Sequence, residues 1–293
     1  MRIAYLMQYT GKDYDEVTEN IDQLIDGGDD VYILCNESSV RDDMMLAYCD
    51  EPKLQIIYEQ DGALPADLSM PRGYLVQMKK ALEVEEAEGF TYDYFITLSD
   101  GMIPIASRDR LIAYLNQHPN KDIYYETANS DEDETLKRRF EDYAFFTNTM
   151  DFQKSRLIRG MNKMTSSVVH NFTQREINDT LYLSYPWFVL TRQSAQALVQ
   201  NRGYCSETFK MCLYPEELAF ATMLHKFSDA EHVNENIWLT ASDGNYHYQK
   251  PVETLSQENI TAYPDRYFGA KIHSTDNFHV YQNVFDSYLN KKD

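Results

Sequence analysis

The stretch Tyr92-Asp93-Tyr94-Phe95-Ile96-Thr97-Leu98-Ser99-Asp100-Gly101 constrains the fold more than any other. Phe95 to Leu98 is an apolar, β-branched and aromatic run of strand length. A charged helical segment precedes it and a polar turn ends it. A strand of this kind is buried on both faces, as in a parallel sheet covered by helices. Its turn lies at the carboxyl end, where ligands collect in open α/β sheets. Ser99 and Asp100 therefore stand where a ligand would be. Asp and Gly are also ordinary turn residues, so a plain chain reversal accounts for them as well.

The same signature recurs around this strand. Ile3–Met7, Val31–Cys35, Leu54–Tyr58 and Ile123–Glu126 read as further strands. Between them, Asp13–Ile25, Val40–Tyr48, Pro71–Glu88 and Arg108–Gln117 carry apolar residues at helical spacing. Strands alternating with helices predict a parallel, doubly wound sheet.

The pattern changes after about residue 126. Asp131-Glu132-Asp133-Glu134 is an acidic run, and Lys137-Arg138-Arg139 follows it. Phe140–Asn178 is helical but irregular. Leu181–Leu190 holds two short strands, Thr191–Val199 is a helix, and Tyr214-Pro215-Glu216-Glu217 opens another that runs to Phe227. Asn236–Thr240 is a strand, and Val280–Leu289 is a last amphipathic piece. Without repeats or linkers, a single domain over 1–293 is expected, with a nucleotide-binding half (1–126) and an acceptor and catalytic half (127–293).

Charge and cysteine content exclude some classes. The 293 residues carry 47 acidic and 27 basic side chains, a formal net charge of −20. That argues against nucleic acid and against a general polybasic membrane surface. It leaves room for an anionic ligand held by a few local cations. Cys35, Cys49, Cys205 and Cys212 form no C-x-x-C pair. No stretch is long and apolar enough to cross a bilayer. The expectation is a cytoplasmic protein with reduced thiols and at most peripheral membrane association.

Three places can carry chemistry. Glu216 and Glu217 lie in the first turn of a predicted helix, whose dipole favours an ionised carboxylate and so a general base. Helix starts are commonly acidic, so ordinary capping explains them too. Arg266 and Lys271, in Tyr263-Pro264-Asp265-Arg266-Tyr267-Phe268-Gly269-Ala270-Lys271, are cations that can offset the charge of a departing diphosphate. They also read as plain surface cations. A metal is not expected. The turn after the Phe95 strand has one carboxylate, Asp100, whereas oxygen ligands come in sets. The seven His residues show no ligand spacing.

Taken in order, Leu98-Ser99 with Pro104, Trp187-Phe188-Val189-Leu190-Thr191-Arg192, Pro215-Glu216-Glu217 with Thr222, and Phe268-Gly269-Ala270-Lys271 resemble the motifs of the core-2/I-branching enzymes. This is a β-1,6-N-acetylglucosaminyltransferase family, and a bacterial type is expected. The resemblance implies a GT-A-like fold: a doubly wound, mostly parallel sheet flanked by helices. It implies inversion at the anomeric carbon and no required cofactor or metal. It also implies a UDP-sugar donor, with N-acetylglucosamine the expected sugar, and a lipid-linked or protein-bound glycan acceptor. Glu217 falls on the family's catalytic base. The donor side is expected to include Lys271, Arg266, Asn36, Thr10, Ser99 and Asp100, and the acceptor side Glu126, Trp187 and Arg138. The chain departs from the family in three places: Asp100 replaces a turn glycine, Asn36 an aspartate, and the second diphosphate arginine falls near Asn236. Two alternatives follow from these changes. One is a metal-using transferase centred on Asp100. The other is a catalytically silent nucleotide-sugar or glycan-binding subunit.

Overall fold

Seven consecutive buried residues form β1 (Ile3–Tyr9). In the computed structural model, described over residues 1–58, 63–99, 102–149, 152, 155–176, 178–241, 250–251 and 257–269, this strand lies near the middle of a seven-stranded sheet. After it come α1 (Tyr14–Asp26), β2 (Asp30–Cys35), α2 (Ser38–Ala47), β3 (Leu54–Ile56), α3 (Ser69–Glu88), β4 (Tyr94–Ser99), β5 (Ile103–Pro104), α4 (Arg108–Gln117) and β6 (Asp122–Tyr124). The chain continues through β7 (Glu126–Asn129), α5 (Glu134–Glu141), α6 (Arg156–His170), β8 (Tyr182–Ser184), β9 (Val189–Thr191), α7 (Arg192–Gln200) and α8 (Arg202–Thr208). A 3₁₀ turn, Pro215–Glu217, leads to α9 (Ala219–Phe227), β10 (His232–Asn234), β11 (Trp238–Ala241), β12 (Lys250–Pro251), α10 (Gln257–Ala262) and β13 (Phe268–Gly269).

The large sheet has the order β10-β6-β9-β4-β1-β2-β3. Its pairs are parallel except where β9 runs antiparallel between β4 and β6. It is mixed α/β and mostly parallel, as the alternating pattern predicts. Side chains along β1 alternate between two cores, as strand geometry requires. Ala4 and Leu6 join Tyr74, Met78, Phe188 and Phe220 on one face. Ile3, Tyr5 and Met7 join Val17, Ile21, Leu24 and Leu115 on the other. Each fully buried Leu or Ile contributes about 1.5–3 kcal/mol, so these two layers supply most of the drive to fold.

Several boundaries differ from the sequence reading. The predicted strand through Glu126 ends at Tyr124, and Glu126 begins β7, which pairs with β8 in a separate two-stranded sheet. The Phe140–Asn178 stretch contains one long helix, α6. Pro215–Glu217 is not the first turn of α9, because Leu218 separates the two. A third sheet, β12-β11-β13-β5, contains the predicted Asn236–Thr240 strand as β11 and joins it to two-residue strands too short to show in the sequence pattern. In it, β13 lies antiparallel to β5. Phe268 and Gly269 therefore lie beside Pro104 and Ile103. On its other side Gly269 lets β13 lie close to β11, since a Cβ there would sit 2.7 Å from the Leu239 Cβ. Asp100, Lys271 and the Val280–Leu289 piece lie outside the described residues.

Candidate active site

The two carboxylates of Pro215-Glu216-Glu217 are both buried, at 4% and 2% exposure. Tyr214, just before them, has φ 53°, a left-handed conformation that costs a non-glycine residue about 1–2 kcal/mol. The contacts of the turn hold it there. Glu216 Oε1 accepts the Ala66 backbone N–H at 2.7 Å, and Ala66 is itself left-handed at φ 70°. Glu217 Oε2 lies 2.7 Å from the Arg139 guanidinium, which is itself mostly buried. Arg139 also donates to the carbonyl of Leu213 at 3.3 Å and to that of Tyr214 at 3.1 Å.

The two neighbours thus sit in different electrostatic settings. Burial, reinforced by the charge of Glu217, pushes the Glu216 carboxyl up to about 8. At neutral pH Glu216 carries its proton, while Glu217 faces a cation. Adjacent carboxyl groups with unlike environments can divide acid and base roles.

Beside this turn lies a cavity of about 780 Å³ lined by Arg138, Arg139, Tyr214, Arg159, Lys163 and Asp142, among others. Its lining carries a marked cationic share in a chain of net charge −20. The pattern of α5 explains which arginine turns inward. Leu136 and Phe140 are its buried residues, and Arg139, three on from Leu136, follows them. Arg138 is exposed. The expected acceptor cation Arg138 reaches the cavity lining but does not touch the carboxylates; Arg139 does.

Glu217 was expected in the first turn of a helix, facing in as the base. It lies instead on a buried 3₁₀ turn, covered by its ion pair with Arg139. Trp187 was expected on the acceptor surface. It is completely buried, and its indole N–H donates to Ser99 Oγ at 2.8 Å. Packing thus removes Trp187 from any acceptor surface and occupies the Ser99 hydroxyl, so neither faces a ligand here.

Thr10 and Asn36 follow β1 and β2, whose parallel register sets Tyr9 beside Cys35. Gln8 likewise pairs with Ser99, so the three segments end along one edge of the sheet. Asn36 does not project its amide freely there. Its Nδ2 donates to the Ala63 carbonyl at 2.8 Å, and its Oδ1 accepts the Ala63 N–H at 2.7 Å. It organises the loop before α3. Arg266 is paired with its neighbour Asp265.

Glu126 belongs to a different cluster. Its Oε2 is 2.8 Å from His225 Nε2, and His232 completes a group whose ligand atoms lie within 4.8 Å of one another. His225 stacks on Tyr182 at 3.6 Å, and the Asn234 side chain brackets the Glu126 backbone. Two imidazoles and a carboxylate are a ligand set suited to a transition metal ion. Sequence spacing did not show it, because the three residues come from β7, α9 and β10.

A profile of the family described as "Core-2/I-Branching enzyme" matches residues 52–263, well over half the chain. No curated protein sequence matches it. Similar solved structures include a Leishmania major UDP-glucose pyrophosphorylase mutant in complex with UDP-glucose, at 9% identity and TM-score 0.35, covering 79% of this chain and 61% of that one. A Trypanosoma brucei UDP-glucose phosphorylase matches at 8% identity and TM-score 0.37, over 79% and 62% of the two chains. The PaToxG glycosyltransferase matches at 10% identity and TM-score 0.28, over 77% and 68%. The chain spans about three-fifths of the length of the first two. The chain belongs to the Core-2/I-branching enzyme family of glycosyltransferases.

Proposed function

We propose that the protein transfers a sugar, N-acetylglucosamine by family resemblance, from a UDP-sugar to a glycan hydroxyl with inversion and without a metal. The acceptor is read as lipid-linked or protein-bound, and the pathway as bacterial polysaccharide or glycoprotein glycan synthesis. The acceptor oxygen attacks the anomeric carbon and its proton passes to Glu217. The glycosidic bonding pair leaves with UDP, whose charge Lys271 offsets, with Arg266 as the second cation. The first half of the chain holds the nucleotide and the second half the acceptor.

The observation that carries this reading is the Arg139–Glu217 ion pair beside the cationic cavity, at the position of the family's catalytic glutamate. Arg139 pairs with Glu217 and covers it until an acceptor enters the cavity and displaces the guanidinium. Transfer by the purified protein, followed with a panel of UDP-sugars and glycan acceptors, tests the reading. The burial of Glu217 favours one alternative, a catalytically silent subunit that binds donor or glycan for an active partner. A silent subunit would show a donor-induced thermal shift with neither hydrolysis nor transfer.

A further inference from the structure

We infer that α6 is an interfacial helix that docks the protein on an anionic membrane surface. Leu157, Met161, Met164 and Val168 are 74%, 47%, 74% and 56% exposed, and Phe172 just beyond the helix is 84% exposed. With 100° per residue, the four helical positions fall within an arc of about 60°. They form one continuous apolar stripe along the whole helix. Asn162, the only buried residue of α6, and Ser166 and His170, which bond to the Tyr143 carbonyl and Asp142, hold the helix to the body on the side away from the stripe. Phe146, 41% exposed, lies nearby, because the backbone N–H of its neighbour Phe145 donates to Asn162 Oδ1 at 2.6 Å. Single exposed apolar residues are ordinary; a contiguous stripe of large ones marks an interaction surface.

Charge selects the occupant. The helix, Arg-Leu-Ile-Arg-Gly-Met-Asn-Lys-Met-Thr-Ser-Ser-Val-Val-His, contains no acidic residue, whereas the whole chain is at −20. Arg159 lies about 170° from the centre of the stripe, on the cavity side, whereas Arg156 and Lys163, also exposed, lie about 110° and 130° from it on one flank. Their long stems let the charged heads reach lipid phosphates while the stripe inserts. An apolar face with a basic margin and low overall hydrophobicity is the pattern of helices that lie in a membrane interface. An overall acidic protein approaches an anionic bilayer only through such a local basic patch. Arg159 and Lys163 also line the cavity beside Glu217. The docked helix would thus set that cavity near the lipid headgroups; this last consequence rests on the transferase reading, while the docking does not.

The test is sedimentation of the full chain with vesicles of phosphatidylcholine alone and of phosphatidylcholine rich in phosphatidylglycerol. Two variants accompany it: Leu157→Ser/Met164→Ser/Phe172→Ser, and Arg156→Gln/Lys163→Gln. All five positions are exposed, so unchanged melting temperatures verify the fold. The expected result is binding to the anionic vesicles and little to the neutral ones, weakened by salt. The serine variant should lose about tenfold or more in partition. The glutamine variant should lose about fivefold for each charge removed. No vesicle binding overturns the inference. So does a concentration-dependent dimer that the serine variant abolishes, since the stripe would then face a second copy. Transfer to a soluble acceptor, measured in parallel, fails or succeeds independently of vesicle binding and so separates the two readings.

Discussion

Glu217 and Arg139, far apart in sequence, form a 2.7 Å ion pair in which both side chains are nearly enclosed. A buried pair of this kind is held together as much by the penalty of breaking it as by its own attraction. Arg139→Ala leaves the Glu217 charge buried without its cation and should destabilise the protein by about 3–5 kcal/mol. Adding Glu217→Gln to that variant should recover much of the loss. Urea denaturation of the two single variants and the double one measures the coupling. Strictly additive losses would show that the pair is incidental.

Glu216 should make stability pH-dependent. Its folded carboxyl is raised to about 8 from the ordinary 4.5, so the folded state holds this proton more tightly than the unfolded chain. The contribution is fully present below about pH 4.5 and is lost as pH rises toward 8. Glu216→Gln removes the titration. Relative to wild type, its stability should rise across that window. Parallel pH–stability curves for the two proteins would contradict a neutral Glu216.

Lys271 lies outside the described residues, and its place in the donor site rests on the Phe268-Gly269-Ala270-Lys271 motif. Lys271→Ala should weaken UDP binding by about 1.5–3 kcal/mol, the value of a hydrogen bond to a charged group. Unchanged affinity in titration calorimetry would take Lys271 out of the donor site.

Turnover should persist in EDTA, because the turn after β4 carries a single carboxylate. If chelation stops the reaction and manganese or zinc restores it, two candidates follow: Asp100, or the Glu126, His225 and His232 cluster. Asp100→Asn and His232→Ala would tell them apart.

The sheet was legible because its strands are continuous apolar runs, and β1, β2 and β4 announce themselves in that way. The antiparallel direction of β9 was not, since Val189-Leu190-Thr191 has the same composition in either direction. The carboxylate turn was visible through Pro215, but its neighbours were not. The choice between Arg138 and Arg139 needed the register of α5, set by Leu136 and Phe140. Trp187 had the residue type of a sugar platform; only packing reveals that it fills the core and bonds Ser99. His225 and His232 meet Glu126 through tertiary structure alone.

The central claim is that Glu217 is the base and Glu216 is not. The most direct measurement is kcat for Glu217→Gln and Glu216→Gln beside the Kd of each for the UDP-sugar. Glu217→Gln should lose about 10²–10⁴-fold in kcat. Glu216→Gln should lose little, and both should bind donor as wild type does, because the base acts on the acceptor. Wild-type turnover by Glu217→Gln, or loss confined to Glu216→Gln, would contradict the assignment.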